Sequence, residues 1–229
     1  MQLLLIRHAQ SSNNRLEGHP EYLQGRLADP PLTRLGHQQA QWLAEWAAGD
    51  EVGRRVTHLY TSLMTRAVQT AAPLASALGL EVHGLTEAYE CGGLTTGPAG
   101  GFTPVAGRPH ASLLQDCPAL RWPETLQGQP WDGGAEPWDA ARFAARAAQV
   151  VAKLQATADR AEVVALVTHH DFAQYLLADL LGLPHDVTRT FRLQNTGTAL
   201  LELGPDDGRL RTPLWFNRTG HLPPEALTG

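Results

Sequence analysis

Two stretches constrain the fold of this chain more than any others. Residues 3–6 read Leu-Leu-Leu-Ile, residues 163–167 read Val-Val-Ala-Leu-Val, and each run leads straight into histidine. A short, wholly apolar run without alternation suits a strand buried on both faces of a parallel sheet. The first run ends in Arg7-His8 and the second in Thr168-His169-His170. Ligands of open α/β sheets bind outside the carboxyl ends of the strands. If the two strands are neighbours, His8 and His169 meet at one site; otherwise each histidine simply occupies a polar loop.

Helical patterns alternate with these strands. Residues 33–48 place Leu35, Trp42, Leu43 and Trp46 at roughly helical spacing behind Thr33, a plausible N-cap. Residues 57–60 are a candidate strand, and Ser62 then caps a helix through residue 77, with Gly79 as its stop and Pro73 as a kink or break. Residues 139–158 and 171–181 read as two more helices, the second closed by Gly182 and Pro184, and residues 198–203 and 214–216 as closing strands. Between residues 91 and 138 Gly and Pro recur without long apolar periods, so this segment reads as an irregular insertion anchored by Trp122, Trp131 and Trp138. The alternation of strand and helix predicts one α/β domain over residues 1–229: three layers, an open and mostly parallel sheet with helices on both faces, and residues 91–138 as a cover over the site.

Composition excludes several classes. A formal net charge of -5 argues against a nucleic-acid binder. No apolar run approaches the roughly 18–20 residues that span a bilayer, and the N-terminus lacks the pattern of a secretory leader, so a cytoplasmic protein without membrane contact is expected. Of 18 basic residues only Lys153 is a lysine, so nearly all fixed positive charge is guanidinium, a group suited to bidentate phosphate recognition. Cys91 and Cys117 are too few and too far apart for a CxxC motif or a zinc site without added histidines, and are expected as reduced thiols.

A third element is Thr61-Ser62-Leu63-Met64-Thr65-Arg66, where a strand turns into a helix carrying Arg66 near its start. A helix N-terminus favours an anion. Two arginines and two histidines at converging strand ends describe a dianion site.

Here the chain resembles the histidine phosphatase superfamily, the phosphoglycerate-mutase-like enzymes, through most of its length outside the insertion. The motifs are Arg7-His8-Ala9-Gln10-Ser11-Ser12-Asn13-Asn14, with Ala9 in place of the family's glycine; Asp29-Pro30-Pro31-Leu32-Thr33 with Gly36 and Gln39-Ala40; Ser62 with Arg66-Ala67 and Gln69-Thr70-Ala71; and Leu214-Trp215-Phe216-Asn217 with His221-Leu222. The resemblance implies a phosphoglycerate-mutase-like fold with His8 as phosphoryl acceptor. It implies Arg7, Asn14, Arg66 and His169 as phosphate binders, and Glu87, in Leu85-Thr86-Glu87, as proton donor. The irregular Ala88-Tyr89-Glu90-Cys91 leaves Glu90 as its rival.

Physical chemistry supports these roles. A nucleophilic imidazole must be neutral, and adjacent arginines disfavour imidazolium. The same guanidiniums, with a protonated His169, stabilise the transferring group without a metal. His170, where the family has glycine, is expected to pack or bond locally. The expected activity is metal-independent and cofactor-free hydrolysis of a small phosphomonoester through phosphohistidine. The alternatives are a mutase of the same family, disfavoured by Glu-Ala-Tyr-Glu-Cys where the mutases carry Glu-Arg-His-Tyr-Gly, a metallohydrolase on His8, His169, His170 and Asp171, and a non-catalytic phosphate-binding module.

Overall fold

The first apolar run divides its side chains between two cores. In the computed structural model, which describes residues 1–98, 101–157, 163–184, 191–204 and 211–229, it forms strand β1 (Gln2–Arg7). Leu3 and Leu5 pack into one hydrophobic cluster, Leu4 and Ile6 into another. The ordinary period-2 alternation of a strand is therefore present, but both faces are apolar because both are covered.

The remaining strands are β2 (Val56–Ser62), β3 (Val82–Leu85), β4 (Thr95–Thr96), β5 (Thr103–Pro104), β6 (Leu120–Arg121), β7 (Val163–Thr168), β8 (Thr198–Leu203) and β9 (Arg211–Arg218). Seven of the nine form one sheet in the order β6-β3-β2-β7-β1-β8-β9, while β4 and β5 make a separate antiparallel pair. The pairings from β6 through β1 are parallel, and β8 and β9 close one edge antiparallel. The sheet is thus mostly parallel and open, as expected.

Helices α1 (Ser12–Leu16), α2 (Tyr22–Gly25), α3 (Arg34–Gly49), α4 (Glu51–Arg54), α5 (Thr65–Leu78), α6 (His110–Asp116), α7 (Ala140–Thr157) and α8 (His170–Leu181) cover it. Phe143, Val150 and Leu154 of α7 and Phe172 and Leu176 of α8 pack with Leu3, Leu5 and Leu166 on one face. Leu43 of α3 and Ala67, Ala71 and Leu74 of α5 pack with Leu4, Ile6 and Val167 on the other. Burying a Leu, Val or Phe side chain contributes roughly 1.5–3 kcal/mol, so these two interfaces dominate the stability of the layers. Among the described residues no helix is long and apolar enough to cross a membrane.

Several local expectations are corrected. Ser62 ends β2 instead of capping a helix, and α5 starts at Thr65. The α5 helix runs unbroken through Pro73, because its buried face is held against the sheet on both sides of the proline. The α7 helix begins at Ala140, with Asp139 Oδ1 accepting from the Arg142 amide at 2.9 Å, and its predicted last residue, 158, lies outside the described residues. The 91–138 segment is less irregular than its composition suggests. It contains α6, a short 3-10 turn at Glu124–Leu126, and β6, which adds an edge to the main sheet. Trp131 is buried with Leu63, Met64 and Leu94 and anchors it as expected, whereas Trp138 is exposed. Cys91 and Cys117 are both buried free thiols.

Candidate active site

The strand register brings the two histidine-bearing ends together. The β1 strand pairs in parallel with β7, with Arg7 opposite Thr168, and the His8 amide donates to the Thr168 carbonyl at 2.9 Å. His8 and His169, one residue beyond each strand, have ring centroids 5.1 Å apart. The β2 strand lies on the other side of β7, so the start of α5 delivers Arg66 to the same place.

His8 is held in one tautomer. Its Nδ1 lies 2.7 Å from the Ala9 carbonyl, which can only accept, so Nδ1 carries the proton. Nε2 then bears the lone pair and accepts from Arg66 Nε at 3.0 Å. Burial, followed by Arg66 and Arg7, pushes the pKa of His8 well below that of a free imidazole. The ring is therefore neutral, with the lone pair of Nε2 on the side of Arg66.

Arg7 and Arg66 are both buried, and among the described residues neither has a carboxylate within ion-pair distance. Arg7 donates Nη1 to the Leu193 carbonyl at 2.6 Å, and its Nε has no partner. Two buried guanidiniums without counter-ions are costly unless an anion is to be bound. His169 is fully buried with neither ring nitrogen hydrogen-bonded. Burial, then Arg66, His8, Arg146 and Arg7, lowers its pKa well below the usual value. The free protein thus favours a neutral His169 where an imidazolium was expected, because burial and the neighbouring guanidiniums both oppose a further cation. It lies behind the cavity wall, while Arg7, His8, Asn14 and Arg66 line the cavity directly.

Residues quoted only as motif matches prove to be the scaffold. Asp29 caps α5 from a distant loop, Oδ1 accepting from the Thr65 amide at 2.9 Å and Oδ2 from its hydroxyl at 2.6 Å. That fixes the turn from which Arg66 projects. Thr70 accepts from the Ala9 amide at 3.0 Å, Gln39 from Gln10 at 2.8 Å and Gln69 from Leu32 at 2.8 Å. Gly36 is required because a Cβ there would run into the Gln10 carbonyl. Asn14 completes a capping box with Ser11 at α1, and its Nδ2 donates to Glu17 at 2.7 Å.

The expected proton donor is where the structure departs most from the sequence reading. Glu87 does not line the cavity. Its Oε1 is paired with Lys153 Nζ at 2.5 Å. Burial acts to raise its pKa, but the hydrogen bonds from Lys153 and Thr86 outweigh this and hold the carboxyl below its ordinary range. A carboxylate bound to a lysine outside the cavity lining does not reach a leaving group held at His8. Its rival Glu90 lines the cavity. Oε1 accepts from the Cys91 and Phe172 amides, both at 2.9 Å, and Oε2 from Asp171 at 3.2 Å, so the carboxyl is fixed at the N-terminus of α8.

Two residues that sequence reasoning missed hold this arrangement. Asn195, fully buried, donates Nδ2 to the His8 carbonyl at 3.0 Å. Arg146 stacks between Tyr89 at 3.7 Å and Phe172 at 3.9 Å. It donates to the carbonyls of Glu87 and Tyr89 and to Glu136, which clamps the loop carrying Glu90. A polar residue interrupting the buried face of α7 was the available signal. His170 was expected to point away and bond locally; instead it lines the cavity, and its Nδ1 lies 3.2 Å from the carbonyl of Leu193, 23 residues further along the chain. Among the described residues no three His, Cys, Asp or Glu side chains form a group able to hold a metal ion, so the ligand set His8, His169, His170 and Asp171 is not assembled.

The sequence model of the histidine phosphatase superfamily (branch 1) matches residues 3–215. A Yersinia enterocolitica protein named as a probable phosphoglycerate mutase is 29% identical over 197 residues, 85% of this chain and 81% of its own length. Among solved structures, a mycobacterial glucosyl-3-phosphoglycerate phosphatase with inorganic phosphate aligns with a TM-score of 0.64 at 25% identity, over 97% of this chain and 99% of its own. An Entamoeba histolytica phosphoserine phosphatase in complex with 3-phosphoglyceric acid shares the fold, with a TM-score of 0.61 at 22% identity, over 96% and 98%.

Proposed function

Because the chain belongs to the histidine phosphatase superfamily, we propose that it is a metal-independent phosphatase that hydrolyses a small phosphomonoester through a phosphohistidine at His8. The observation that carries this reading is the neutral Nε2 of His8 held by Arg66, beside two buried guanidiniums that have no ion-pair partner among the described residues.

The substrate's phosphoryl group enters between Arg7 and Arg66, and Arg66 exchanges its bond to Nε2 for one to a phosphoryl oxygen. That frees the lone pair for in-line attack. The N–P bond forms as the P–O bond to the leaving alcohol breaks, and Glu90 gives its proton to the departing oxygen. Arg7, Arg66 and Asn14 bind the equatorial oxygens, where charge spreads in the transition state, while the neutral His169 packs against the His8 ring from behind. Water then attacks phosphorus, Glu90 takes its proton, and inorganic phosphate leaves with His8 restored.

The Yersinia relative favours one second reading, a mutase. A mutase must keep water from the phosphohistidine, whereas here the cavity opens past the exposed Phe102 and Trp138, which supports hydrolysis. The test is a panel of phosphomonoesters assayed in excess EDTA for both inorganic phosphate and isomerised ester. Phosphate release supports the phosphatase. Isomerisation without release supports the mutase, and loss of turnover restored by one divalent ion overturns both.

A further inference from the structure

The cavity in front of His8 encloses about 810 Å³, near the top of the range of roughly 300–1,000 Å³ typical of small-molecule sites. A phosphoryl group with a compact alcohol leaves most of it unfilled. Its outer part is apolar: Leu23, Phe102 and Trp138, which are 47%, 48% and 72% exposed, all line it. Single exposed apolar side chains are ordinary, but three around one cavity mouth mark a binding surface.

Each of the two rings has a packing neighbour. Trp138 lies over Gly92, where a Cβ would approach the indole to 3.5 Å, and packs edge-on against Phe143 at 5.3 Å. Phe102 carries the Arg26 guanidinium 5.0 Å from its centroid, and Arg26 lines the cavity as well. An indole, a phenyl ring and a guanidinium plane around one opening favour a flat π-system over a flexible chain.

We infer that the mouth formed by Leu23, Phe102, Trp138 and Arg26 is a subsite for a planar aromatic leaving group, so that the substrate is a phosphomonoester with an aromatic body. The inference rests on the phosphatase reading only for the orientation of the substrate: phosphoryl group at His8, aromatic body at the mouth.

The test separates binding from turnover. Affinities of 2-naphthylmethylphosphonate, octylphosphonate and methylphosphonate, whose C–P bonds resist phosphatases, are measured by calorimetry on wild type, Trp138→Ala and Phe102→Ala. The naphthyl compound should bind roughly tenfold more tightly than either of the others, and each substitution should reduce that advantage about fivefold. Equal affinities for the naphthyl and octyl compounds, or an advantage that survives both substitutions, would overturn the subsite. Turnover of 2-naphthylmethyl phosphate and glycerol 1-phosphate is followed in parallel. If neither ester is hydrolysed while the naphthyl preference in binding is present, the subsite stands and the phosphatase reading fails. If both are hydrolysed at the same kcat/KM, the phosphatase reading stands and the subsite fails.

Discussion

Arg66 Nε donates a 3.0 Å hydrogen bond to Nε2 of His8. In the proposed mechanism the same guanidinium therefore keeps His8 deprotonated before substrate arrives and stabilises the phosphoryl group afterwards. The arrangement links three chain segments: the end of β1, the start of α5, and the loop holding Asp29, which caps that start.

Asp29→Ala should disturb Arg66 without touching the cavity chemistry itself. Loss of the cap should lower stability by about 1 kcal/mol. Displacement of Arg66 should reduce kcat/KM on the order of 10²-fold. Denaturant melts and steady-state kinetics check both. Full activity in a destabilised variant would separate Asp29 from the placement of Arg66.

Glu90 and Glu87 are distinguished by the leaving group. Glu90→Gln should slow the pre-steady-state burst with an alkyl phosphate by roughly 10²–10⁴-fold, and far less with an aryl phosphate whose phenolate departs unaided. Glu87→Gln should leave both bursts near wild type, since a partly exposed ion pair such as that with Lys153 contributes about 0–1 kcal/mol. A leaving-group-dependent loss in Glu87→Gln and not in Glu90→Gln would reverse the assignment.

The fold and the convergence of Arg7, His8, Arg66 and His169 were legible because they are written in contiguous residues. Two apolar runs ending in histidine specify buried parallel strands, and the register of β1 on β7 then places His8 beside His169 without further information. The placement of the two candidate proton donors was less legible. Choosing between Glu87 and Glu90 depends on how the loop after β3 turns, and that turn is set by Arg146 on α7 and by backbone amides of α8, more than 50 residues away in sequence. The cap of α5 was misassigned to Ser62 for the same reason, since Asp29 reaches it from 36 residues upstream. In the insertion, Gly93 shows why composition misled: a Cβ there would run into the backbone of Gly134, so the glycines close a specific contact and do not signal looseness.

The neutrality of His169 has a consequence for stability. In the unfolded chain the imidazole takes up a proton near pH 6.5; in the folded protein it remains neutral well below that. Between those values the unfolded state binds more protons, so stability is complete above pH 6.5 and falls as pH drops, by about 1.4 kcal/mol per pH unit for each such group. His8, His83, His170 and His221 have lowered pKa values too, so the slope of His169→Gln against wild type isolates one residue. Chemical denaturation between pH 7.5 and 5.5 should give the variant a shallower loss of stability. Identical slopes would mean that His169 is already protonated in the fold.

The central claim is that His8 Nε2 becomes covalently phosphorylated. Wild-type protein is mixed with an excess of a turned-over phosphomonoester, quenched in base within the first turnover, digested, and mapped by mass spectrometry. The account predicts a phosphoryl group on His8, base-stable and acid-labile, forming and decaying at rates compatible with kcat, and His8→Ala with neither label nor turnover. Turnover that proceeds with no phosphoryl group on His8, or with the group on another residue, would contradict it.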